Sequence, residues 1–284
     1  MRRFVPIIGL LLVIAGCAQA PAPRPVAATE LHARIAITKA LPPSPAIDVD
    51  GEAARLRAAL AREVPAAIVD TAADGQTWIA LSRAAVAISN QSIERAQILV
   101  VVDRNPHVQQ LRLVLARSDA PWQDLGGGKV STGEADRRGY YVTPTGVFPH
   151  TDLILDWRAE GTFNTQHIRG LGRKGMRVWD FGWQEAARGW GSQEQDEIRL
   201  LMHATDPNYL EQRLGHPASK GCVRIPDALN QFLDRHGILD ADYERAAHFD
   251  RRFAALLLPD RAPTPLAGDI LVVIDSAQSP RPRI

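Results

Sequence analysis

The stretch that most restricts how this chain can fold is residues 198–225. Ile198 to Met202 is an apolar run with one charged interruption, which predicts a mostly buried strand delivering His203 at its end. Asp206 suits a helix cap and Pro207 the first helical position, so a surface helix to Arg213 is expected next. Gly215 and Pro217 break that helix, and Gly221 lets the chain turn closely before Cys222. In the segment from Pro226 to Arg235, Leu229, Phe232 and Leu233 have helical spacing, and Gly237 follows its end. Cys222 is therefore expected on a tight turn shortly before a helix, nineteen positions after His203.

A thiol attacks only as thiolate, and at an ordinary pKa near ~8.5 it needs a neighbouring base or positive charge to do so at neutral pH. His203, Lys220 and Arg224 are the candidates within this stretch. The residues alone point to Cys222 as nucleophile and His203 as general base, with the backbone amides of Gly221 and Cys222 as oxyanion donors. The chemistry is acyl transfer through a thioester. Arg224, two residues from the sulfur, can grip a carboxylate in fork geometry; the plainer alternative is a solvated surface arginine.

The chain begins Met1-Arg2-Arg3, followed by an apolar run from Phe4 to Ile14. That is the pattern of a signal peptide whose core is too short to span a bilayer as a mature helix. Ile14-Ala15-Gly16-Cys17 resembles a bacterial lipoprotein processing box, which makes residues 1–16 the leader and Cys17 the lipid attachment site. An ordinary leader cleaved after Ala18 or Ala20 is the alternative. Cys17 and Cys222 are the only cysteines, so lipidation of the first leaves the second unpaired. A lone thiol in an oxidising compartment is a liability unless it is used.

Residues 17–46, rich in Ala and Pro, are expected to form an extended tether. Residues 47–96 are expected to form a small helical region, with Asp50 capping a helix to Val64 and a second helical element within 66–95. The span 97–275 is expected to be mainly β, a sandwich or small barrel with a few helices, because short apolar runs alternate with Gly and Pro. Strands are expected at Ile98–Val102, Leu111–Leu115, from Val130, Tyr140–Val142, Thr145–Phe148 and Ile270–Ile274. The glycines Gly126 to Gly128 are read as a turn. Residues 152–194, rich in Trp and Gly, are read as an insertion over one side of the cleft, Asp242 to Leu258 as a helix, and 276–284 as a disordered tail. A formal charge of +1 gives no support for a nucleic-acid partner.

The pattern of His203 and then Ser219-Lys220-Gly221-Cys222-Val223-Arg224 resembles the signature of the L,D-transpeptidase catalytic domain, the YkuD-type fold. Val130-Ser131-Thr132-Gly133 and Thr143-Pro144-Thr145-Gly146-Val147-Phe148 resemble that family's two other recurrent stretches. The resemblance implies an enzyme of the bacterial cell envelope that needs no metal or other cofactor. Its partners would be peptidoglycan stem peptides and, through Cys17, a membrane. It would lie on the periplasmic face, with Ala18 pointing to the outer membrane. Such enzymes attack the bond between the third stem residue, usually meso-diaminopimelate, and a terminal D-Ala, then pass the acyl group to an amine. In that setting Arg224, Ser219 and Lys220 would bind substrate. Lys220 stands where the family usually has His, and His216 is read as a bystander. Two other readings compete: an L,D-carboxypeptidase or cross-link hydrolase of the same fold, and a wall-binding lipoprotein without activity.

Overall fold

The computed structural model describes residues 47–69 and 72–278; the leader, Cys17, the tether and the chain from Ser279 lie outside the described residues. The sequence Gln-Ile-Leu-Val-Val-Val-Asp of β1 (Gln97–Asp103) is buried at every position, because its sheet is covered on both faces. Ile98, Val100 and Val102 pack with Leu56 and Leu60 of α1 (Val49–Glu63), whereas Leu99 and Val101 pack with Trp78, Ile79 and Val86 of α2 (Ala72–Ala87). The two N-terminal helices are thus part of the domain's own core rather than a separate spacer, and residues 47–96 and 97–275 fall within one compact unit.

The first sheet runs β3 (Gln123–Lys129), β2 (Gln110–Ala116), β1, β9 (Ile270–Ile274), β4 (Gly146–Pro149); only the β1–β9 pair is parallel. The second runs β5 (Trp157–Arg158), β6 (Arg177–Ala187), β7 (Gln195–Ala204), β8 (Val223–Ile225), with β7 and β8 parallel. Val100 and Leu113 of one sheet share a core with Trp179, Met202 and Val223 of the other, and α3 (Asp227–Arg235) adds Leu229, Phe232 and Leu233. The chain is a mixed α/β arrangement of two sheets and a few helices, weighted towards β. Neither sheet closes on itself, so the barrel form of the expectation is set aside.

Several local expectations are corrected. Gly126 to Gly128 lie inside strand β3, because Gly127 approaches β2 so closely that a Cβ would sit 1.7 Å from the Leu111 carbonyl oxygen. The residues from Asp152 to Glu194 hold β5 and β6 and so build the second sheet rather than an insertion on it. Helix α1 is capped by Asp48, whose carboxylate accepts from the Gly51 amide at 3.0 Å, while Asp50 sits in its first turn. Between Asp206 and Arg213 only a 3-10 turn, Glu211–Arg213, forms. The expected helix from Asp242 is two, α4 (Ala241–Ala246) and α5 (Arg251–Leu256). Tyr141 makes a single bridge to Arg188 in place of a strand. Residues 276–278 form a turn in which the Ser276 amide donates to Asp103 at 3.1 Å, so the ordered chain runs past the expected start of the tail.

One buried ion cluster ties the second sheet to the helices behind it. The Arg177 guanidinium is fully enclosed and meets Asp156 at 2.9 Å, Asp240 at 3.0 Å and Asp234 at 3.5 Å. Asp156 also faces His150 Nε2 at 2.9 Å and accepts from the Asp180 amide at 2.9 Å. His150 Nδ1 lies 2.8 Å from the Leu239 carbonyl, so both ring nitrogens face acceptors. Although burial opposes it, the Asp156 carboxylate raises the His150 pKa above its ordinary value, and the ring holds two protons. Without Arg177 each carboxylate keeps one other partner, His150 for Asp156, Arg261 for Asp240 at 2.6 Å and Arg158 for Asp234 at 2.8 Å, but the buried cation that joins all three is lost. Arg177→Met is expected to lower stability by about 3–5 kcal/mol, read as a shift in urea midpoint at constant slope.

Candidate active site

Three stretches far apart in sequence meet at Cys222. Ser131 and Arg224 exchange both backbone hydrogen bonds, at 2.9 and 2.8 Å, a single antiparallel bridge on the outer edge of β8. The Ala218 and Ser219 amides donate to the Thr132 carbonyl, and the Glu134 amide donates to that of Ser219. The buried Thr143 hydroxyl closes the junction: it accepts from the Gly133 amide at 2.8 Å and donates to the Gly221 carbonyl at 2.8 Å. Gly133 admits no side chain, since a Cβ would stand 1.8 Å from the Tyr141 carbonyl oxygen. Gly221 has a φ of 127°, a region open to glycine.

The register decides which side chains share a surface. Ile198, Leu200 and Met202 of β7 point into the core, so Arg199, Leu201 and His203 point the other way. In the β7–β8 ladder Met202 faces Val223 and His203 faces Arg224. Cys222, two residues before Arg224, therefore lies on the same face as His203, diagonally across from it. Ideal strand geometry separates such a pair by about 8 Å between Cα atoms, a gap that a thiol and an imidazole reach into from both sides. No hydrogen bond joins the sulfur to the ring among the described residues, and pairs of this kind are commonly loose until the reacting groups are in place.

His203 is buried, at 3% exposure. Its Nδ1 lies 2.6 Å from the Ala204 carbonyl oxygen, which can only accept; the proton is therefore assigned to Nδ1, and Nε2 keeps its lone pair. Burial, aided by the Arg224 charge and opposed by the Ala204 carbonyl, depresses the His203 pKa to about 4. Cys222 is partly exposed. The burial around it nonetheless pushes its thiol up, with Asp180 acting the same way, while the Leu201 backbone amide and Arg224 pull against them. At neutral pH both groups rest uncharged.

The predicted residues divide into those that line the face and those that shape it. Cys222, His203 and Arg224 line it; the Arg224 Nη1 donates to the Ala218 carbonyl at 3.0 Å. Ser219, expected to bind substrate, is buried, and its hydroxyl is fully engaged: it accepts from the Gly221 amide at 3.0 Å and donates to the Cys222 carbonyl at 2.5 Å. Its place is to shape the turn. The Gly221 amide, expected with that of Cys222 to meet an oxyanion, is held by the Ser219 hydroxyl. Lys220 is exposed with its ammonium 5.8 Å from the Tyr140 ring centre. The cation acting on the sulfur is Arg224. His216 is exposed, and Cys17 lies outside the described residues. Among the described residues no group of three or more His, Cys, Asp or Glu side chains could hold a metal ion.

Sequence reasoning missed Gln109, and it read Asp206 only as the cap of a helix that does not form. The Gln109 amide is buried and holds Thr132 by accepting from its backbone N–H at 2.7 Å. Asp206 caps the chain leaving His203, accepting from the Asn208 and Arg169 amides at 2.9 and 2.8 Å. The Asp206-Pro207 pair marked Asp206 in the sequence; nothing there marks Gln109, whose backbone adopts a φ of 45°.

Thr143→Val leaves the Gly133 amide and the Gly221 carbonyl without their shared partner, and is expected to cost about 1–3 kcal/mol for each orphaned group in thermal unfolding. His203 generates a pH dependence of stability. Its folded pKa is below the ~6.5 of an unfolded histidine, so between about pH 6.5 and pH 4 the unfolded chain takes a proton that the folded chain refuses. Stability through this group is complete above that window and falls by up to about 3 kcal/mol across it. His203→Gln is expected to lose less stability than the unsubstituted protein when urea titrations are moved from pH 7 to pH 4.5.

Set against known proteins, the chain matches no family model and no curated protein, so the site is read from its own geometry.

Proposed function

We propose that this chain is a peptidoglycan L,D-transpeptidase of the YkuD-type fold, working through a thioacyl form of Cys222. The observation that carries the reading is the shared face: the register sets a neutral imidazole with a free Nε2 diagonally across from a partly exposed thiol, beside a guanidinium. The meeting of Val130–Gly133, Thr143 and Ser219–Arg224 at that point supports it.

In the first half-reaction the Cys222 sulfur bonds to the carbonyl carbon of the third stem residue while His203 Nε2 takes the thiol proton. The developing oxyanion meets the Cys222 amide, and Arg224 favours the sulfur's negative charge. Collapse breaks the amide bond, and the proton passes from Nε2 to the departing D-Ala nitrogen. In the second half-reaction an acceptor amine, a diaminopimelate side chain or a protein lysine, attacks the thioester and yields its proton to Nε2. The thiol leaves as it entered. Anchoring through Cys17 would hold this chemistry at the wall.

Cys222→Ala is expected to abolish turnover of disaccharide tetrapeptides while the thermal unfolding midpoint changes little. His203→Ala is expected to lower kcat/KM by about 10²–10⁴ through loss of the proton acceptor; unchanged turnover would show that another group is the base. Because Nε2 must be unprotonated, kcat/KM should hold level from pH 7 down to about pH 5 and halve near pH 4. The raised thiol predicts slow alkylation of Cys222 by iodoacetamide at pH 7, with a midpoint above the ordinary ~8.5. Product masses decide the acceptor: cross-linked dimers support transfer, tripeptides alone support hydrolysis, and unprocessed substrate with no adduct at Cys222 overturns the enzymatic reading.

A further inference from the structure

A bulge in β6 turns a tryptophan onto the face that carries Cys222. Asp180 pairs with Leu201 and Trp183 with Arg199, so three steps on β6 match two on β7. The extra residue falls at Phe181-Gly182, where Gly182 adopts a φ of 76°. Without it, strict alternation would put Trp183 on the core side with Trp179 and Phe181. With it, Trp183 shares the surface of Arg199, Leu201, His203 and Cys222, and is 62% exposed.

One neighbour of Trp183 is fixed in place. Arg199 lies with its guanidinium carbon 5.9 Å from the Trp183 ring centre and is locked by the buried Asp180 carboxylate at 2.7 and 2.8 Å. Two positions along each strand, Glu185 and Glu197 face one another directly, both exposed. Like charges in that arrangement weaken a sheet, so their place is not explained by folding. An exposed indole face, a fixed guanidinium and two acceptor carboxylates suit a pyranose: the ring's C–H face covers the indole while its hydroxyls meet the charged groups.

We infer that Trp183, with Arg199, Glu185 and Glu197, binds a sugar ring of the wall glycan. The inference rests on the transpeptidase reading for the identity of the substrate, and distance supports it. Cys222 stands level with Leu201 one strand away, and Trp183 level with Arg199 one strand further in the opposite direction, which places their Cα atoms about 12 Å apart by strand geometry. Three extended stem residues between the sugar and the attacked carbonyl span about 10–11 Å. A stem threaded from the platform to the sulfur thus brings its third carbonyl to the nucleophile. Trp183 is a positioning residue in this arrangement, since it touches the substrate far from the bond that breaks.

The test compares two substrates and one inert ligand. With the full chain, kcat/KM for a disaccharide tetrapeptide is expected to exceed that for the sugar-free tetrapeptide by about tenfold, mainly through KM. The ratio should fall towards one in Trp183→Ala and recover in Trp183→Phe. Separately, a peptide-free oligosaccharide of alternating N-acetylglucosamine and N-acetylmuramic acid should quench the tryptophan emission of Cys222→Ala and not that of Cys222→Ala with Trp183→Phe. Turnover with a ratio of one and no quenching overturns the platform and leaves the transpeptidase reading standing. Quenching without turnover of either substrate keeps the platform and removes the transpeptidase. Failure of both removes both.

Discussion

The site depends on one pairing, the parallel ladder in which His203 of β7 faces Arg224 of β8. Parallel neighbours cannot be joined by a tight turn; the chain must travel back alongside the first strand before it can run forward again. Because β8 pairs only with the last residues of β7, the return is compact, and residues 205–222 complete it with a single 3-10 turn. The spacing between His203 and Cys222 is the length of that return. Asp206, fully buried, fixes its first corner through two backbone amides. A shift of register by one residue would move His203 to the core side and separate it from the sulfur.

A three-residue strand such as β8 needs support on its other edge, and the Val130–Gly133 stretch provides it. The paired hydrogen bonds between Ser131 and Arg224 fix the strand in the plane of the sheet, and Thr143 fixes the turn before it. The requirement is steric as well as polar: at Gly133 a neighbouring carbonyl occupies the space of a side chain, and at Gly221 the backbone enters a left-handed region. These residues bear on the site only through the position they give Cys222. Ser219 belongs with them, since its hydroxyl is engaged on both sides by the turn it stabilises.

What the sequence made legible follows from local patterning. Uninterrupted apolar runs marked β1 and β9, the spacing of Leu229, Phe232 and Leu233 marked α3, and the run ending at His203 marked the inner part of β7. The thiol, the histidine and the arginine could be named because they stand in one short stretch. The remainder depends on contacts between distant segments. The glycines of β3 read as a turn because the close approach of β2 that requires them is a tertiary fact. β6 read as part of an insertion because Asp180, Gly182 and the bulge interrupt its alternation, although Asp180 is satisfied by Arg199 and Gly182 by the bulge itself. The hydroxyl of Ser219 looked free for a ligand because nothing in a linear sequence reveals that a turn has already engaged it.

The resting charges of the site bear on how it would work. Arg224 acts on both partners, favouring thiolate on Cys222 and opposing a proton on His203, so its two effects on a thiolate–imidazolium pair offset one another. Burial then decides, and it disfavours both charged forms; for His203 alone the depression to about 4 amounts to about 3 kcal/mol against the imidazolium. A standing ion pair of the kind found in cysteine proteases is therefore disfavoured. The thiol would lose its proton to Nε2 as the carbon–sulfur bond forms, when the new oxyanion replaces the thiolate as the centre of negative charge. An imidazolium held in so dry a place is a strong acid. It would surrender its proton readily to the departing amine, so the burial that slows the first transfer drives the second.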